Sequence, residues 1–178
     1  MNNILIVPAI TAEVDLLQNI ARQTFQESFA ADNTPENMKH YLQENFSIAK
    51  LSSEMSNPDS EFFFAMLKTT PVGYMKLNYK TAQSELFNSR AVELERIYVL
   101  KSHQGQKIGQ LLFNHAITAA REVKAPFLWL GVWEHNTKAI GFYEKNGFTQ
   151  FDKHDFMLGD EKQTDILMRL DLPMPKAQ

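Results

Sequence analysis

Val99-Leu100-Lys101-Ser102-His103-Gln104-Gly105-Gln106-Lys107-Ile108-Gly109-Gln110-Leu111-Leu112 is the stretch on which the fold turns. It reads as the end of a strand, a tight turn and the opening of a helix. A helix's first turn leaves four N–H groups without intrahelical acceptors, and the macrodipole adds partial positive charge there. A glycine in the turn lets an anion approach the backbone, so the segment suits a phosphate or pyrophosphate. It equally suits a plain glycine turn feeding a helix. Two other phosphate loops do not fit. A Walker A loop needs Gly-Lys-Ser/Thr, and Lys107 is followed by Ile108 and Gly109. The dinucleotide fingerprint G-x-G-x-x-G is missing as well.

Working outward, residues 92–100 form the strand that feeds this turn. From Gln106 the apolar positions Ile108, Leu111, Leu112, Ala116, Ala119, Ala120 and Val123 predict a long amphipathic helix. Pro126 then separates it from the apolar run 127–133, which fits a strand covered on both faces. Residues 137–146 predict a short helix closed by Gly147. Residues 148–158 and 165–172 read as a hairpin around Gly159-Asp160. Toward the N-terminus, 3–10 reads as a strand, and Thr11 as the N-cap of a helix bearing Val14, Leu17, Ile20, Ala21 and Phe25. Asn33-Thr34-Pro35-Glu36 starts a second helix. Residues 61–68 and 72–79 read as antiparallel strands, and 81–91 as a loop without period. The order β-α-α-β-β-β-α-β-α-β-β predicts one mixed α/β sheet flanked by helices.

With that frame, the segment Gln104 to Gly109 resembles motif A of the GNAT acetyltransferases, Q/R-x-x-G-x-G/A, with Lys107 where the family has its middle glycine. Lys107 is expected to keep helical dihedrals and a donating N–H. Asn136-Thr137-Lys138-Ala139-Ile140-Gly141-Phe142-Tyr143-Glu144-Lys145-Asn146-Gly147-Phe148 resembles motif B, N-x-x-A-x-x-x-Y-x-x-x-G-F. The resemblance implies a single GNAT domain over residues 1–178. Its sheet would be mixed and mostly antiparallel, with a splayed parallel strand pair. Acetyl-coenzyme A would be the cosubstrate and no metal would be needed. Pantetheine would pair with the free edge at Ile97, Tyr98 and Val99, opposite 128–133. The pyrophosphate would rest on the amides of Gln104, Gly105, Gln106, Lys107, Ile108, Gly109 and Gln110, and Asn136 and Tyr143 would reach the cofactor from the other side. Short strings, Leu130-Gly131-Val132-Trp133-Glu134, Glu161-Lys162-Gln163-Thr164-Asp165 and Asn33-Thr34, resemble the bacterial PaiA-like polyamine acetyltransferases. That implies spermidine or spermine as acceptor.

The resemblance makes Tyr143 the candidate acid for a departing thiolate, against the alternative of a packing tyrosine. Glu93 is the candidate base for the ammonium, against the alternative of a solvated strand end or, with Glu95, a partner for Arg96. Strand alternation places Glu93, Glu95, Ile97 and Val99 on one face. Asn136 suits a helix cap and a cofactor contact alike. His115 and the pair Trp129/Trp133 read as packing, and Glu13, Asp15 and Glu27 as a solvated helix face. The five histidines have no metal-ligand spacing.

Composition narrows the function classes. A net charge of -3 argues against a nucleic-acid surface, while leaving a local basic patch open. Without cysteine there is no thiolate to carry an acyl group, so direct attack in a ternary complex is expected. No signal sequence or membrane span is evident, which makes cytoplasmic the expectation. A homodimer stays open. The expected activity is acetyl transfer to the primary amine of a small molecule. The rivals are a noncatalytic acyl-coenzyme A sensor, favoured by Lys107, and a protein or peptide N-acetyltransferase.

Overall fold

The computed structural model describes residues 3–158 and 161–172. Seven strands form a single sheet in the order β1-β2-β3-β4-β5-β7-β6. They are β1 (Ile4–Pro8), β2 (Ser60–Leu67), β3 (Thr70–Tyr79), β4 (Val92–Val99), β5 (Phe127–Trp133), β6 (Thr149–Leu158) and β7 (Glu161–Asp171). Helices α1 (Val14–Phe29), α2 (Pro35–Asn45) and α3 (Ile48–Met55) belong to one face, and α4 (Ile108–Glu122) and α5 (Thr137–Lys145) to the other. The predicted turn residues Gly159-Asp160 lie outside the described residues.

Two cores reflect the two faces. Leu112, Phe113, Ala116 and Ala120 of α4 pack with Met75, Leu77, Leu94, Leu128 and Leu130. Leu17, Ala21 and Phe25 of α1 pack with Phe62, Phe64, Tyr74 and Leu51 on the opposite side. His115 sits with its ring 4.5 Å from that of Phe63, a packing role.

The sheet is interrupted where the site lies. β4 and β5 are parallel and pair only at Val92–Leu128 and Glu93–Trp129, after which they diverge. The remainder of β4 stays paired with β3, so its other edge is open. Within that pairing Lys76 opposes Arg96 while Leu77 opposes Leu94, which leaves Glu95 as a bulge. The extra residue reverses the alternation expected along β4. Because directly opposed residues share a face, Arg96 and Tyr98 join Glu93 on the α1–α3 side. Ile97 and Val99 project with Leu94 toward α4. The expectation that Glu93, Glu95, Ile97 and Val99 share one face is therefore corrected.

Other differences are local. Residues 11–13 form a 3₁₀ turn ahead of α1, and the Glu13 carboxylate, not the Thr11 hydroxyl, accepts an N–H there, from Ile10 at 3.0 Å. Helix α3 was not anticipated. It is only eight residues long, and its N-cap Ser47 accepts from Lys50 N–H at 3.2 Å. Helix α4 begins at Ile108 because Lys107 takes a left-handed conformation, φ 63° and ψ 12°, and not the helical one expected.

Candidate functional site

The divergence of β4 from β5 opens a cavity of about 1000 Å³ that passes from the α4–α5 side to the α1–α3 side of the sheet. One end is backbone. Gly105 and Lys107 both have positive φ, 78° and 63°, left-handed backbone of the kind found in anion-binding turns. Among the described residues, none of the N–H groups from Gly105 to Gln110 has an acceptor. Gln104 braces the turn, its Nε2 donating to Val99 O at 3.2 Å while its Oε1 accepts from Lys138 Nζ at 2.9 Å. Lys101, Lys107 and Lys138 line this end, so the donors face a positive environment suited to phosphate.

Helix α5 closes one wall. The Asn136 side chain caps it, accepting from Ala139 N–H at 3.2 Å. Its far end is a Schellman motif. Phe148 N–H donates to Tyr143 O and Gly147 N–H to Glu144 O, both at 3.0 Å, with Gly147 at φ 90°. The accompanying apolar contact is the Tyr143–Phe148 ring pair at 5.7 Å. The spacing Tyr143-x-x-x-Gly147-Phe148 is thus the helix stop itself, and it fixes the tyrosine backbone. Tyr143 lines the cavity, and among the described residues nothing hydrogen-bonds its hydroxyl. Burial raises its pKa above the ordinary phenol value, so at neutral pH it keeps its proton.

The other end is built from charges contributed by distant elements. Arg96 grips Glu54 of α3 through two contacts, 2.9 and 3.1 Å, and reaches Glu95 at 3.1 Å. Lys76 completes the cluster at 2.6 Å from Glu95 and 3.2 Å from Glu54. Burial pushes the Glu95 carboxyl up, but Arg96 and Lys76 outweigh it and hold it at about 2. Two carboxylates meet two buried cations, and a third, the half-exposed Lys50, stands 3.8 Å from Glu54. Glu95 is a partner of Arg96, the alternative weighed above.

Glu93 is different. It is 3% exposed and lines the cavity, and among the described residues no cation pairs with it. Ser84 donates to it through both N–H and hydroxyl, and Asn78 Nδ2 donates at 3.0 Å. Burial, and after it the Glu95 charge, raises its pKa against those hydrogen bonds. Ser84 and Asn78 were missed by sequence reading, since one lies in an aperiodic loop and the other mid-strand. The same loop supplies Gln83, whose Oε1 accepts from the Trp129 indole at 2.7 Å and locks that ring in the core.

An aromatic wall connects the two ends. Phe29 meets both Tyr98 and Trp133 edge-on, at 6.3 and 6.4 Å. Trp129 and Trp133 both line the cavity, so neither is simply core, although Trp129 is fully buried. Glu27 is exposed as expected, yet it also accepts from Lys101 N–H at 2.7 Å, tying α1 to the turn before α4. Of the residues singled out from sequence, Glu93, Ile97, Tyr98, Val99, Gln104, Gly105, Lys107, Ile108, Gly109, Gln110, Asn136 and Tyr143 all line this one cavity. Gln106 belongs to the turn but is not among the lining residues.

Comparisons with known proteins agree with this architecture. The model of the acetyltransferase (GNAT) family matches residues 15–148. An uncharacterized N-acetyltransferase from the pepI 3′ region of Lactobacillus delbrueckii subsp. lactis is 42% identical over 160 residues, 89% of this chain and 92% of that relative. A spermidine N(1)-acetyltransferase of Thermoplasma acidophilum is 26% identical over 152 residues, 82% of this chain and 89% of the relative. Among solved structures, the PaiA N-acetyltransferase of Thermoplasma acidophilum in complex with coenzyme A superposes with a TM-score of 0.79. It is 24% identical, and the match covers 96% of this chain and 99% of that one. A splayed parallel pair, a donor-rich turn before a helix and a family match across three quarters of the sequence lead to one conclusion: the chain belongs to the acetyltransferase (GNAT) family and is an acetyl-coenzyme A-dependent N-acetyltransferase.

Proposed function

We propose that the acceptor is the primary amine of a small, multiply charged molecule of the polyamine class, acetylated by direct attack within a ternary complex. The observation that carries this reading is the cavity's polarity. One end offers unpaired N–H groups and lysines, and the other offers aromatic rings and the carboxylates of Glu93 and Asp165, neither of which has a lysine or arginine partner among the described residues. Such an end suits a cation. The 26% identical spermidine N(1)-acetyltransferase supports a polyamine in particular.

The residues fit the cosubstrate. The N–H groups of Gly105 to Gln110 receive the pyrophosphate, the open edge of β4 at Ile97, Tyr98 and Val99 pairs with pantetheine, and Asn136 helps position it from α5. Bound acetyl-coenzyme A supplies a thioester carbonyl open to attack and a thiolate leaving group. Glu93 takes the proton of the incoming ammonium, a task suited to a carboxylate whose pKa is raised. Tyr143 holds its proton at neutral pH and delivers it to the sulfur as the carbon–sulfur bond breaks. With no cysteine in the sequence, no thiol carries the acetyl group between the two.

The test is free-thiol release with acetyl-coenzyme A across spermidine, spermine, simple monoamines, aminoglycosides, amino acids and peptides. Spermidine or spermine is expected to give the highest kcat/KM, and that value should fall as salt rises. Peptides outperforming polyamines, or a salt-independent kcat/KM for spermidine, would overturn the polyamine assignment.

A further inference from the structure

We infer that Asp165 is a specificity-determining residue that holds the second, non-reacting ammonium of the acceptor. The inference rests on the polyamine reading above and goes further by naming the residue that recognises chain length and charge. Six carboxylates line the cavity; Glu27 and Asp32 are exposed, and the four withdrawn from water are Glu54, Glu93, Glu95 and Asp165. The first three are supplied with donors by the protein, Glu54 and Glu95 by Arg96 and Lys76, and Glu93 by Ser84 and Asn78. Among the described residues, no N–H or O–H donates to the Asp165 carboxylate. Among the described residues, the basic side chain within 4 Å of it is His154, whose Nε2 stands 3.8 Å away while its Nδ1 lies against Glu85. The Asp165 side chain is only 18% exposed. A carboxylate so far withdrawn from water and without donors is an unfavourable arrangement that a cationic ligand would relieve.

Its surroundings point the same way. Asp165 opposes Trp133 on β5 and His154 on β6, so the three form a row across the sheet on the cavity side. The Trp133 ring beside it belongs to the aromatic wall, which gives an alkylammonium both a counter-charge and a π face. Asp165 Oδ2 rests over Gly131, where a Cβ would come within 3.3 Å, so the glycine keeps the carboxylate's seat clear.

Spacing then separates two roles. Glu93 is level with Trp129 and Asp165 with Trp133, a difference of four residues along β5. At the rise of an extended strand that is about 13 Å. Before the side chains converge into the cavity, this is a distance for the length of a diamine or triamine, and a short monoamine cannot engage both ends. Glu93 serves the amine that reacts, and Asp165 the one that stays charged.

The experiment compares kcat and KM for spermidine and for propylamine in the wild type, Asp165→Asn and Asp165→Glu. Asp165→Asn keeps shape and removes charge, and should raise the KM for spermidine about tenfold, the loss of one charge-assisted hydrogen bond. Its kcat for spermidine and its kcat/KM for propylamine should stay within about twofold of wild type. Asp165→Glu should recover most of the spermidine KM. If wild type acetylates spermidine but Asp165→Asn leaves its KM unchanged, the polyamine reading stands and the role of Asp165 falls. Equal losses on both amines, or no recovery with Glu, also overturn it by indicating a structural role. Should wild type acetylate no polyamine, the proposed function fails and the role of Asp165 with it.

Discussion

The two ends of the cavity achieve recognition with different materials. On the α4–α5 side the donors are the backbone N–H groups of Gly105 to Gln110, held by local conformation and braced by the Gln104 side chain, the Gln104 N–H itself donating to Lys101 O. On the α1–α3 side the groups are side chains from α3, β3, β4, β7 and the loop before β4, and most are bound to one another. Backbone donors cost the fold little when no ligand is present, because water reaches them. Buried side-chain charges must be balanced within the protein at all times. Disturbing the first end should therefore change binding with little change in stability, while disturbing the second should change stability first.

The largest expected effect is on the charge cluster. Glu54→Ala leaves Arg96 and Lys76 facing one carboxylate instead of two, in a site where Lys76 is 5% exposed. Breaking a buried ion pair in this way typically costs about 3–5 kcal/mol. Urea unfolding measures it, and a loss under about 1 kcal/mol would mean that water already balances the cluster. The same cluster sets an acid limit. Glu95 has its carboxyl held at about 2 in the fold, below the ordinary 4.5. Its contribution is fully present above about pH 4.5 and is lost as pH falls through about 2. Glu93 works in the opposite sense. Its raised pKa favours the fold at low pH and loses that contribution as pH rises through the raised value. Glu95→Gln should flatten the acid limb of the stability profile between those limits, and a profile that keeps its slope would place the lost protons elsewhere.

Tyr143→Phe probes the junction of the two ends. The ring stays and the Schellman stop that holds it is backbone, so stability should be unchanged. Among the described residues, the hydroxyl has no hydrogen-bond partner to lose. If it protonates the leaving sulfur, the loss should appear in kcat, at about 10²-fold, with coenzyme A affinity unchanged. The loss belongs at the low end of the range for acid catalysis because a thiol near pKa 8.5 already leaves fairly well. Full kcat in the variant, with chemistry rate-limiting, makes Tyr143 a packing residue.

This contrast also decides what could be read from the sequence. Backbone sites are written locally: Gln104 to Gly109 and Tyr143-x-x-x-Gly147-Phe148 are contiguous because a turn and a helix stop are contiguous structures. The splay of β4 from β5 was implied by the family resemblance that those two segments carry, and the mixed sheet by the order of elements along the chain. The charge cluster could not be read in that way. Glu54 lies on a helix too short to announce itself by periodicity, and Lys76 looks like any strand lysine until its neighbours are known. Ser84 sits in an aperiodic loop that reads as a spacer. The bulge at Glu95 has no signature of its own, yet it decides which side Arg96, Ile97 and Tyr98 face. Asp165 was visible only as part of a short string, and its lack of a donor among the described residues is a property of three strands together.

A smaller effect is expected from Gly109→Asp, and its two signs should differ. Gly109 lies in the first turn of α4, where a Cβ would meet nothing within 4 Å. An aspartate there is compatible with the fold, and its charge interacts favourably with the helix N-terminus by a few tenths of a kcal/mol. The same charge repels the pyrophosphate, so coenzyme A affinity should fall by at least about fivefold, or 1 kcal/mol. Calorimetry reads the affinity and thermal unfolding the stability. Unchanged affinity in the folded variant would remove the pyrophosphate from this turn.

The smallest effect is the sharpest test of the comparison, because Lys107 puts a side-chain charge into the end built from backbone. Its φ of 63° is a conformation that non-glycine residues adopt at a cost of about 1 kcal/mol or slightly more. Lys107→Gly removes that cost, but glycine also gives the unfolded chain more freedom, so the net gain in stability should stay below about 1 kcal/mol. The ammonium is exposed, and an exposed charge facing a phosphate is screened by solvent and salt. Coenzyme A affinity should therefore drop less than about fivefold, with a shallower salt dependence than wild type. Calorimetry at low and high salt separates charge from conformation, since loss of the ammonium weakens binding only where screening is low. A drop beyond tenfold that persists at high salt would break the comparison, because the turn would then depend on the Lys107 side chain as the opposite end of the cavity depends on Arg96.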